Sequence, residues 1–431
     1  MNHFDLRSGE LWCEDVRLTA LAAAVGTPFY VYSSATLERH YRVFREALDA
    51  FPRLGSPRIA YAVKANSNLS VLATLGRLGA GADTVSEGEI RRALAAGIPA
   101  ERVVYSGVGK TAAELAFALD AGVDQINIES EPELTLIADL ARRRGRRAAV
   151  VIRVNPDVGA GGHAKISTGT RESKFGVSLA EAERLYGLAA ASPDLKALGV
   201  ACHIGSQITD LAPLARAFAL MRQFVERLRA GGRTVDRLDL GGGLGVPYFN
   251  QPDPPTPLDF AAMVDEVVGD LDVDLAFEPG RVIAANAGIL VSRVIHVHER
   301  PEGRRFLVLD AAMNDLIRPA MYDAYHDIRA VSPRTGALTP YDVVGPVCET
   351  GDTFTRDRLL PPLASGDLVA FMSAGAYGAV MSSEYNTRPL IPEVLVRGED
   401  WAVVRPRPSY EAMLAREPPA PWLSGWVTTA T

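Results

Sequence analysis

Short apolar runs alternate with helical patterns through the first two thirds of the chain. Eight of these runs, between about residues 58 and 280, are apolar on both faces and partly β-branched, which is typical of strands buried in a parallel sheet. They are RIAYAVK, GADTV, RVVYSG, DQINIE, AAVVIRVNP, ALGVACHIGS, VDRLDLGGG and DVDLAFEPG. Eight β-α units predict an α/β protein with a closed (β/α)8 barrel, also called a TIM barrel; a doubly wound open sheet is the competing arrangement.

Helix starts are marked by capping sequences. Four segments open with Ser or Thr followed three residues later by Glu, namely Ser86/Glu89, Thr111/Glu114, Ser130/Glu133 and Ser178/Glu181. In such a capping box the hydroxyl accepts a hydrogen bond from the N3 backbone, and the Glu reaches back to the cap. Three of these helices run into a glycine, a residue favoured just past a helix end, at Gly97, Gly122 and Gly145.

The pattern changes after Arg281. Runs such as GILVSRVIHVHE, RRFLVLD and YDVVGPVCE have little helical periodicity and many turn residues, which predicts an antiparallel β domain. The early run TPFYVYS (residues 27–33) is also strand-like, and we expect it to join the same sheet. The predicted domains are therefore a barrel at 35–280 and a discontinuous β-rich domain made of 1–34 and 281–431.

Composition and charge are those of an ordinary soluble enzyme. Of the 431 residues 48% are hydrophobic and 23% charged, and the formal net charge of −7 argues against a nucleic-acid or anionic-membrane surface. Three widely spaced cysteines form neither a disulfide framework nor a CxxC metal pair, which fits a reducing compartment. The first residues do not resemble a signal peptide, and no run of about 18 apolar residues occurs. The expected location is the cytoplasm.

A polar residue or a glycine cluster stands at the end of each predicted barrel strand. In chain order these are Lys64, Asp83, Ser106, Asn127 or Glu129, Arg153, His203, the glycines 241–243 and Glu278. Active sites of such barrels form where the strands end. We therefore expect these groups to converge on one mouth.

The residue types at this mouth suggest one cofactor. Lys64 could form a Schiff base, the loop DLGGGLG lets backbone N–H groups approach a phosphate, and Glu278 offers a carboxylate to a ring nitrogen. Each feature has a plainer explanation by itself: glycine loops are often tight turns, and a lone histidine such as His203 is often a core residue. Taken together they describe a pyridoxal 5′-phosphate site.

Two further motifs suggest other ligands. SGVGKT at 106–111 resembles the end of a P-loop, but the first glycine of that motif falls at Val104, and Thr111/Glu114 explain the segment as a helix start. His296 and His298 share one face of a predicted strand, without a nearby Cys, Asp or Glu at ligand spacing. We expect neither a nucleotide nor a metal.

The chain resembles the diaminopimelate decarboxylase family, barrel-fold pyridoxal-phosphate decarboxylases related to the ornithine and arginine decarboxylases and, more remotely, to alanine racemase. The resemblance rests on motifs in order over nearly the whole chain: TPFYVYS, YAVKAN, GADTVSEGE, SKFGV, CHIGSQ, DLGGGLG, EPGR, MNDLIRPAMYDAYH, GPVCETGD and AGAYGAVMSSEYNTRP. Two positions depart from it, DAAMND where a glycine commonly follows the first alanine, and Thr350 where serine is commoner. Neither departure touches a residue to which the resemblance gives a functional role.

The resemblance implies roles toward the cofactor. Lys64 would be catalytic and hold the cofactor covalently, His203 would lie over its ring, and Glu278 would keep its pyridine nitrogen protonated. Asp83 and Arg153 match polar positions near the cofactor. The phosphate would be bound by Ser206, Gly241, Gly242, Gly243, the backbone of Glu278, Pro279, Gly280 and Arg281, and the hydroxyl of Tyr377.

The C-terminal motifs imply the substrate. A distal carboxylate would be bound by Arg281, Arg318 and Tyr322, with Tyr377 also in contact, and a distal ammonium by Glu349. A substrate with an amino acid at both ends is meso-2,6-diaminopimelate, so the expected reaction yields L-lysine and CO2, the last step of lysine biosynthesis. Cys348 resembles the family's catalytic proton donor. Taken alone, Arg318 would more often be a surface ion pair, and Cys348 an inert thiol.

The resemblance also implies a homodimer, in which Cys348 and Glu349 reach into the partner subunit's active site. Three other functions stay open. The chain could be a sister decarboxylase of a carboxynorspermidine-like or carrier-bound amino acid, a non-catalytic pyridoxal-phosphate-binding protein, or a barrel aldolase with a Schiff-base lysine and no cofactor. An absorbance scan separates the aldolase from the others, because only a bound cofactor absorbs visible light.

Overall fold

The computed structural model describes residues 2–159, 169, 173–248 and 253–423. The chain divides into two compact units, one made of Met1–Ser33 and Gly288–Thr431 and the other of Ser34–Ala287. The first unit begins with a small antiparallel sheet, a helix and a strand of a larger sheet: β1 (Phe4–Arg7), β2 (Glu10–Cys13), β3 (Val16–Arg17), α1 (Leu18–Val25) and β4 (Phe29–Ser33).

The second unit is a closed barrel of eight parallel strands, each paired with the next and the last with the first. Its elements are α2 (Ser34–Asp49), β5 (Arg58–Ala62), α3 (Leu69–Arg77), β6 (Gly81–Thr84), α4 (Glu87–Ala95), β7 (Val103–Tyr105), α5 (Ala112–Ala121), β8 (Gln125–Ile128), α6 (Glu131–Arg143), β9 (Ala148–Arg153), α7 (Leu179–Ala191), β10 (Leu195–Ala201), α8 (Leu211–Ala230), β11 (Arg237–Asp239), α9 (Pro257–Val268), β12 (Asp274–Phe277) and α10 (Arg281–Ala284). The predicted barrel is confirmed, and the open sheet is excluded.

The predicted helix starts are confirmed, with a difference in how the glutamates are used. The side chains of Ser86, Thr111, Ser130 and Ser178 each accept from the backbone N–H three residues on. Glu114 completes the box by returning to the Thr111 N–H, at 2.9 Å. Glu89 and Glu133 instead accept from the residue before the cap, Val85 N–H and Glu129 N–H, both at 2.8 Å. These two carboxylates therefore brace the turns that leave β6 and β8.

The rest of the first unit joins β4 in a mixed sheet. Its elements are β13 (Gly288–Glu299), β14 (Arg305–Leu309), α11 (Arg318–Tyr322), β15 (Ile328–Ala330), β16 (Thr339–Val344), β17 (Thr353–Leu360), β18 (Leu368–Phe371), β19 (Glu393–Arg397), β20 (Asp400–Arg405) and α12 (Tyr410–Leu414). The expectation that residues 27–33 enter this sheet is confirmed, since β4 pairs with β13 and β19.

The predicted antiparallel sheet is in fact mixed: most of its strand pairs are antiparallel, but two of the described pairs are parallel. β4 runs parallel to β19, and β14 runs parallel to β16. Parallel neighbours need a long crossover connection. The chain supplies two: the whole barrel separates β4 from β19, while α11 and β15 separate β14 from β16.

Each unit has its own apolar core. In the first unit Phe29 and Val31 of β4 pack with Ile289, Val394 and the Leu18 end of α1. β4 runs between two neighbouring strands and is buried at every position. Within the described ranges, no helix combines the length and apolar character that crossing a bilayer would require.

Candidate active site

Lys64 follows β5 in a single 3-10 turn, and its amine is hydrogen-bonded to a carboxylate. Its Nζ donates to Asp83 Oδ2 at 2.5 Å. Asp83 belongs to the neighbouring strand β6 and is fully buried. Its other oxygen, Oδ1, is buried and finds no hydrogen-bond partner among the described residues. The carboxylate therefore orients the lysine amine and retains one unused acceptor.

Arg153 ends β9 and is fixed by two contacts. Its Nη1 donates to Glu129 Oε1 at 3.0 Å, and its guanidinium lies over the Phe175 ring, 4.8 Å from the centroid. Glu129 also accepts from the backbone N–H groups of Gly107 and Gly176, at 3.1 and 2.9 Å. One carboxylate thus connects this guanidinium to two neighbouring loops.

The ring of His203, two residues after the end of β10, is a neutral hydrogen-bond acceptor. The backbone N–H of Gly242 donates to its Nδ1 at 3.1 Å, so this nitrogen carries no proton. Loss of water around the ring, and then the positive charges of Arg153 and Lys64, hold the pKa of His203 well below its ordinary value. An uncharged imidazole with one fixed orientation is suited to packing on a planar group.

Glu278, after β12, lies in a buried acidic cluster. Its Oε1 is buried and has no hydrogen-bond partner in the part of the chain that is described. Desolvation, and then the carboxylates of Asp239 and Asp83, raise the pKa of Glu278 well above its ordinary range. Asp239 is itself bound by the Gly241 N–H and the Gln125 side-chain amide, both at 2.9 Å. A cationic ring N–H placed at Oε1 would satisfy the oxygen and offset the repulsion.

The glycine loop after β11 exposes backbone without side chains at the end of the barrel where the strands finish. A Cβ on Gly242 would lie 2.3 Å from the Glu278 carbonyl oxygen. One on Gly243, whose φ is +116°, would lie 2.6 Å from the Gly205 carbonyl oxygen. The loop after β10 is hydrogen-bonded to this glycine loop, because Ile208 N–H donates to Gly243 O at 2.9 Å. Side chains are excluded here, as in a loop whose amides approach a phosphate.

Arg281, the first residue of α10, adds a buried guanidinium to this region. Its Nε and Nη2 donate to Ser206 Oγ at 3.2 and 3.0 Å, and its Nη1 donates to the Tyr248 hydroxyl at 3.3 Å. Ser206 belongs to the loop fastened against Gly243. The guanidinium and the hydroxyl together offer several donors to an anion.

Part of this set lines one cavity of about 420 Å³ in the barrel unit, a volume within the usual range for small-molecule sites, whereas Asp83, the glycine loop and Arg281 are not among its lining residues. Around it lie Lys64, Arg153, His203 and Glu278, and residues 105–110 form one wall. Two unsatisfied carboxylate oxygens, a lysine amine and a loop without side chains fit pyridoxal 5′-phosphate.

Sequence reasoning missed several residues that support this site. Asp239 stands in the DLGGGLG motif, and its inward position before the glycines was the available signal. Gln125 and Tyr248 gave no such signal, because their partners, Asp239 and Arg281, are distant in sequence. Lys110 of the P-loop-like segment serves the structure itself, since its Nζ donates to Glu133 Oε1 at 2.5 Å and to two carbonyls.

Two C-terminal candidates, Cys348 and Glu349, lie together on an exposed turn of the first unit. The turn is built around Asp352, whose carboxylate accepts from Val347 N–H at 2.7 Å. The Asn386 side chain accepts from the Cys348 N–H at 2.9 Å. The backbone is therefore fixed while both residues are exposed, and Glu349 Oε1 accepts from the Gly351 N–H of the same turn at 3.1 Å.

The other C-terminal candidates are also in the first unit. Arg318 opens α11 and is buried, and Tyr322 closes the same helix and is half-buried. Tyr377 is half-buried with φ +55°. A left-handed backbone at a bulky residue costs on the order of 1–3 kcal/mol and tends to be kept at functional positions.

Comparison with known proteins agrees with this chemistry. Residues 34–285 match the family described as pyridoxal-dependent decarboxylase, pyridoxal binding domain. The diaminopimelate decarboxylase of Zymomonas mobilis is 48% identical over 421 residues, which is 97% of this chain and 99% of that one. The crystal structure of diaminopimelate decarboxylase from Helicobacter pylori complexed with L-lysine has a TM-score of 0.88 at 40% identity, covering 93% of this chain and 98% of that one. The enzyme from M. jannaschii in co-complex with L-lysine has a TM-score of 0.93 at 34% identity, covering 98% and 100%.

Proposed function

The chain belongs to the diaminopimelate decarboxylase family of pyridoxal-dependent decarboxylases, and on this premise we propose that it converts meso-2,6-diaminopimelate to L-lysine and CO2, the last step of lysine biosynthesis. One observation carries the proposal. A lysine amine, a neutral histidine and a carboxylate with an unsatisfied buried oxygen line the same cavity. That combination serves pyridoxal 5′-phosphate chemistry, and an aldolase lysine would not need it.

The barrel residues would divide the work of holding the cofactor. When bound, pyridoxal phosphate supplies an electron sink for the charge left on the substrate carbon as CO2 departs. Lys64 would bind its aldehyde, with the amine oriented by Asp83. Glu278 would hold a proton on the ring nitrogen, and the neutral His203 would pack on the ring. The phosphate would be bound by Ser206, Gly241, Gly242, Gly243, the backbone of 278–281 and Tyr377.

The C-terminal candidates would select the substrate. Arg318, Arg281 and Tyr322 would bind the carboxylate of the end that does not react, with Tyr377 beside them. Glu349 would take the ammonium of that end, and Cys348 would return a proton to the reacting carbon. Charge-assisted bonds to a buried guanidinium discriminate strongly for a carboxylate.

Product analysis tests the function directly. Holoenzyme incubated with meso-diaminopimelate should release L-lysine and CO2 in equal amounts, measured by chiral chromatography and trapped carbon dioxide. L-Ornithine, which lacks a distal carboxylate, is the control substrate and should react far more slowly. Cofactor-loaded protein that forms no lysine would favour the carboxynorspermidine-like or carrier-bound alternatives. Protein without a visible absorbance band would favour the aldolase.

We propose further that the enzyme is a homodimer whose active sites are shared. The support is the turn in which Cys348 and Glu349 are exposed on a backbone fixed by Asp352. We also propose a cytoplasmic location. Cys348 is an exposed free thiol, and a thiol that must not be oxidised needs a reducing compartment.

Mixing two inactive variants tests the shared site. Lys64→Ala and Cys348→Ala proteins, each inactive, should regain activity when they exchange subunits, because one site of each heterodimer then has both groups. At equal concentrations, random exchange predicts up to about a quarter of the wild-type rate, since half of the dimers carry one intact site. The assay is lysine production before and after exchange, monitored by native mass spectrometry. Heterodimers that form without any recovery would contradict the shared site.

A further inference from the structure

The buried side chain of Arg318 is hydrogen-bonded to another buried side chain, that of His326. The guanidinium Nη1 lies 3.1 Å from the His326 Nε2, and the His326 Nδ1 lies 2.9 Å from the Met372 carbonyl oxygen. Both side chains are deep in the first unit, with Arg318 7% and His326 4% exposed. The contact joins α11 to the end of β18.

The two contacts determine where the imidazole proton lies. A carbonyl oxygen can only accept, so His326 Nδ1 carries the proton and donates to Met372 O. A guanidinium can only donate, so His326 Nε2 accepts from Arg318. The neutral Nδ1–H tautomer satisfies both contacts at once. The ring therefore directs the guanidinium without placing a charge beside it.

Hydrogen bonds fix the backbone at His326 and at the next residue. Arg358 Nη2 donates to the His326 carbonyl oxygen at 3.2 Å. Met372 N–H donates to Asp327 O at 2.8 Å, which holds the next residue against the same strand end. A rigid support of this kind transmits its position to Arg318.

We propose that His326 is a positioning residue that sets the Arg318 guanidinium for the substrate carboxylate that does not react. The inference rests on the proposed function, in which Arg318 binds that carboxylate. A carboxylate in place of the imidazole would compete with the substrate for the guanidinium, whereas a neutral acceptor leaves its full charge for the ligand. The product L-lysine keeps the unreacted carboxylate, so it reports on the same contact.

Two substitutions separate the functions of the two ring nitrogens. His326→Asn places an amide N–H near the position of Nδ1, keeping the bond to Met372 O but removing the acceptor for Arg318. His326→Gln places an amide oxygen near the position of Nε2, keeping the acceptor while losing the donor to Met372 O. Comparing the two tests the bond to Arg318 specifically.

The measurements are steady-state kinetics with meso-diaminopimelate and equilibrium binding of L-lysine and cadaverine to the holoenzyme. In His326→Asn we expect KM for meso-diaminopimelate and Kd for L-lysine to rise about tenfold or more, with kcat within about threefold of wild type. His326→Gln should recover most of the loss. Cadaverine, which is lysine without its carboxylate, should bind all variants equally, and the cofactor absorbance should not change. Each variant loses one buried hydrogen bond, so the thermal midpoint should fall by similar small amounts in both.

Three results would overturn the inference. They are an unchanged Kd for L-lysine in His326→Asn, equal losses for L-lysine and cadaverine, and a fall in thermal midpoint or cofactor absorbance that accounts for the loss. A wild-type holoenzyme that neither binds L-lysine nor decarboxylates meso-diaminopimelate overturns the proposed function instead. Running wild type and variants together distinguishes the two failures.

Discussion

Lys64→Ala should lose turnover by on the order of 10³-fold or more, together with the visible absorbance of a covalently bound cofactor. The Lys64 amine, just after β5, is proposed to be both the covalent attachment and the group that releases product. Asp83, which bonds this amine at 2.5 Å, cannot replace it because a carboxylate is no nucleophile toward the cofactor aldehyde in this role. The assays are lysine production and an absorbance spectrum of the purified protein.

Lys196→Ala provides the matched control. Lys196 is an exposed lysine of barrel strand β10, so its loss should leave the spectrum and the rate unchanged. Borohydride reduction of wild-type holoenzyme followed by peptide mapping should place the cofactor on Lys64. A Lys64→Ala protein with the wild-type rate and spectrum would contradict the assignment of the cofactor site.

Arg318→Ala should lower kcat/KM for meso-diaminopimelate by a factor of about 30 to several thousand. Removing one partner of a buried charged pair leaves the substrate carboxylate desolvated and unpaired, at a cost of roughly 2–5 kcal/mol, and each 1.4 kcal/mol is tenfold. The cofactor contacts are proposed to come from other residues, so the visible spectrum should persist. Steady-state kinetics, the absorbance spectrum and a thermal melt measure the three quantities.

Arg334→Ala is the control for charge removal in the same unit. Arg334 is 55% exposed and pairs with Asp367 at 2.7 Å, an exposed type of ion pair that contributes little. We expect normal kinetics from it. Normal kcat/KM in Arg318→Ala as well would remove the main reason for choosing diaminopimelate over a simpler amino acid.

The barrel was predictable because its signals are local. The N-caps at Ser86, Thr111, Ser130 and Ser178 involve bonds that span three residues, and apolar runs mark each buried strand. The mixed sheet was not predictable in the same way. Periodicity shows that a segment is a strand, but the parallel pairing of β4 with β19 joins segments that the whole barrel separates in sequence.

The sequence by itself determined which reactive groups are present and that they lie at the ends of different barrel strands: Lys64, Asp83, Arg153, His203 and Glu278. Order along the chain is enough for this, because parallel strands of a barrel all end at one mouth.

Only the tertiary structure decided the state of those groups. The neutral His203 depends on an N–H from Gly242, the raised pKa of Glu278 depends on burial beside Asp239, and the tautomer of His326 depends on Met372 O. Protonation and orientation are set by desolvation and by hydrogen-bond partners within a few ångströms. Those partners come from different strands and loops, and their distances exist only once the chain has folded.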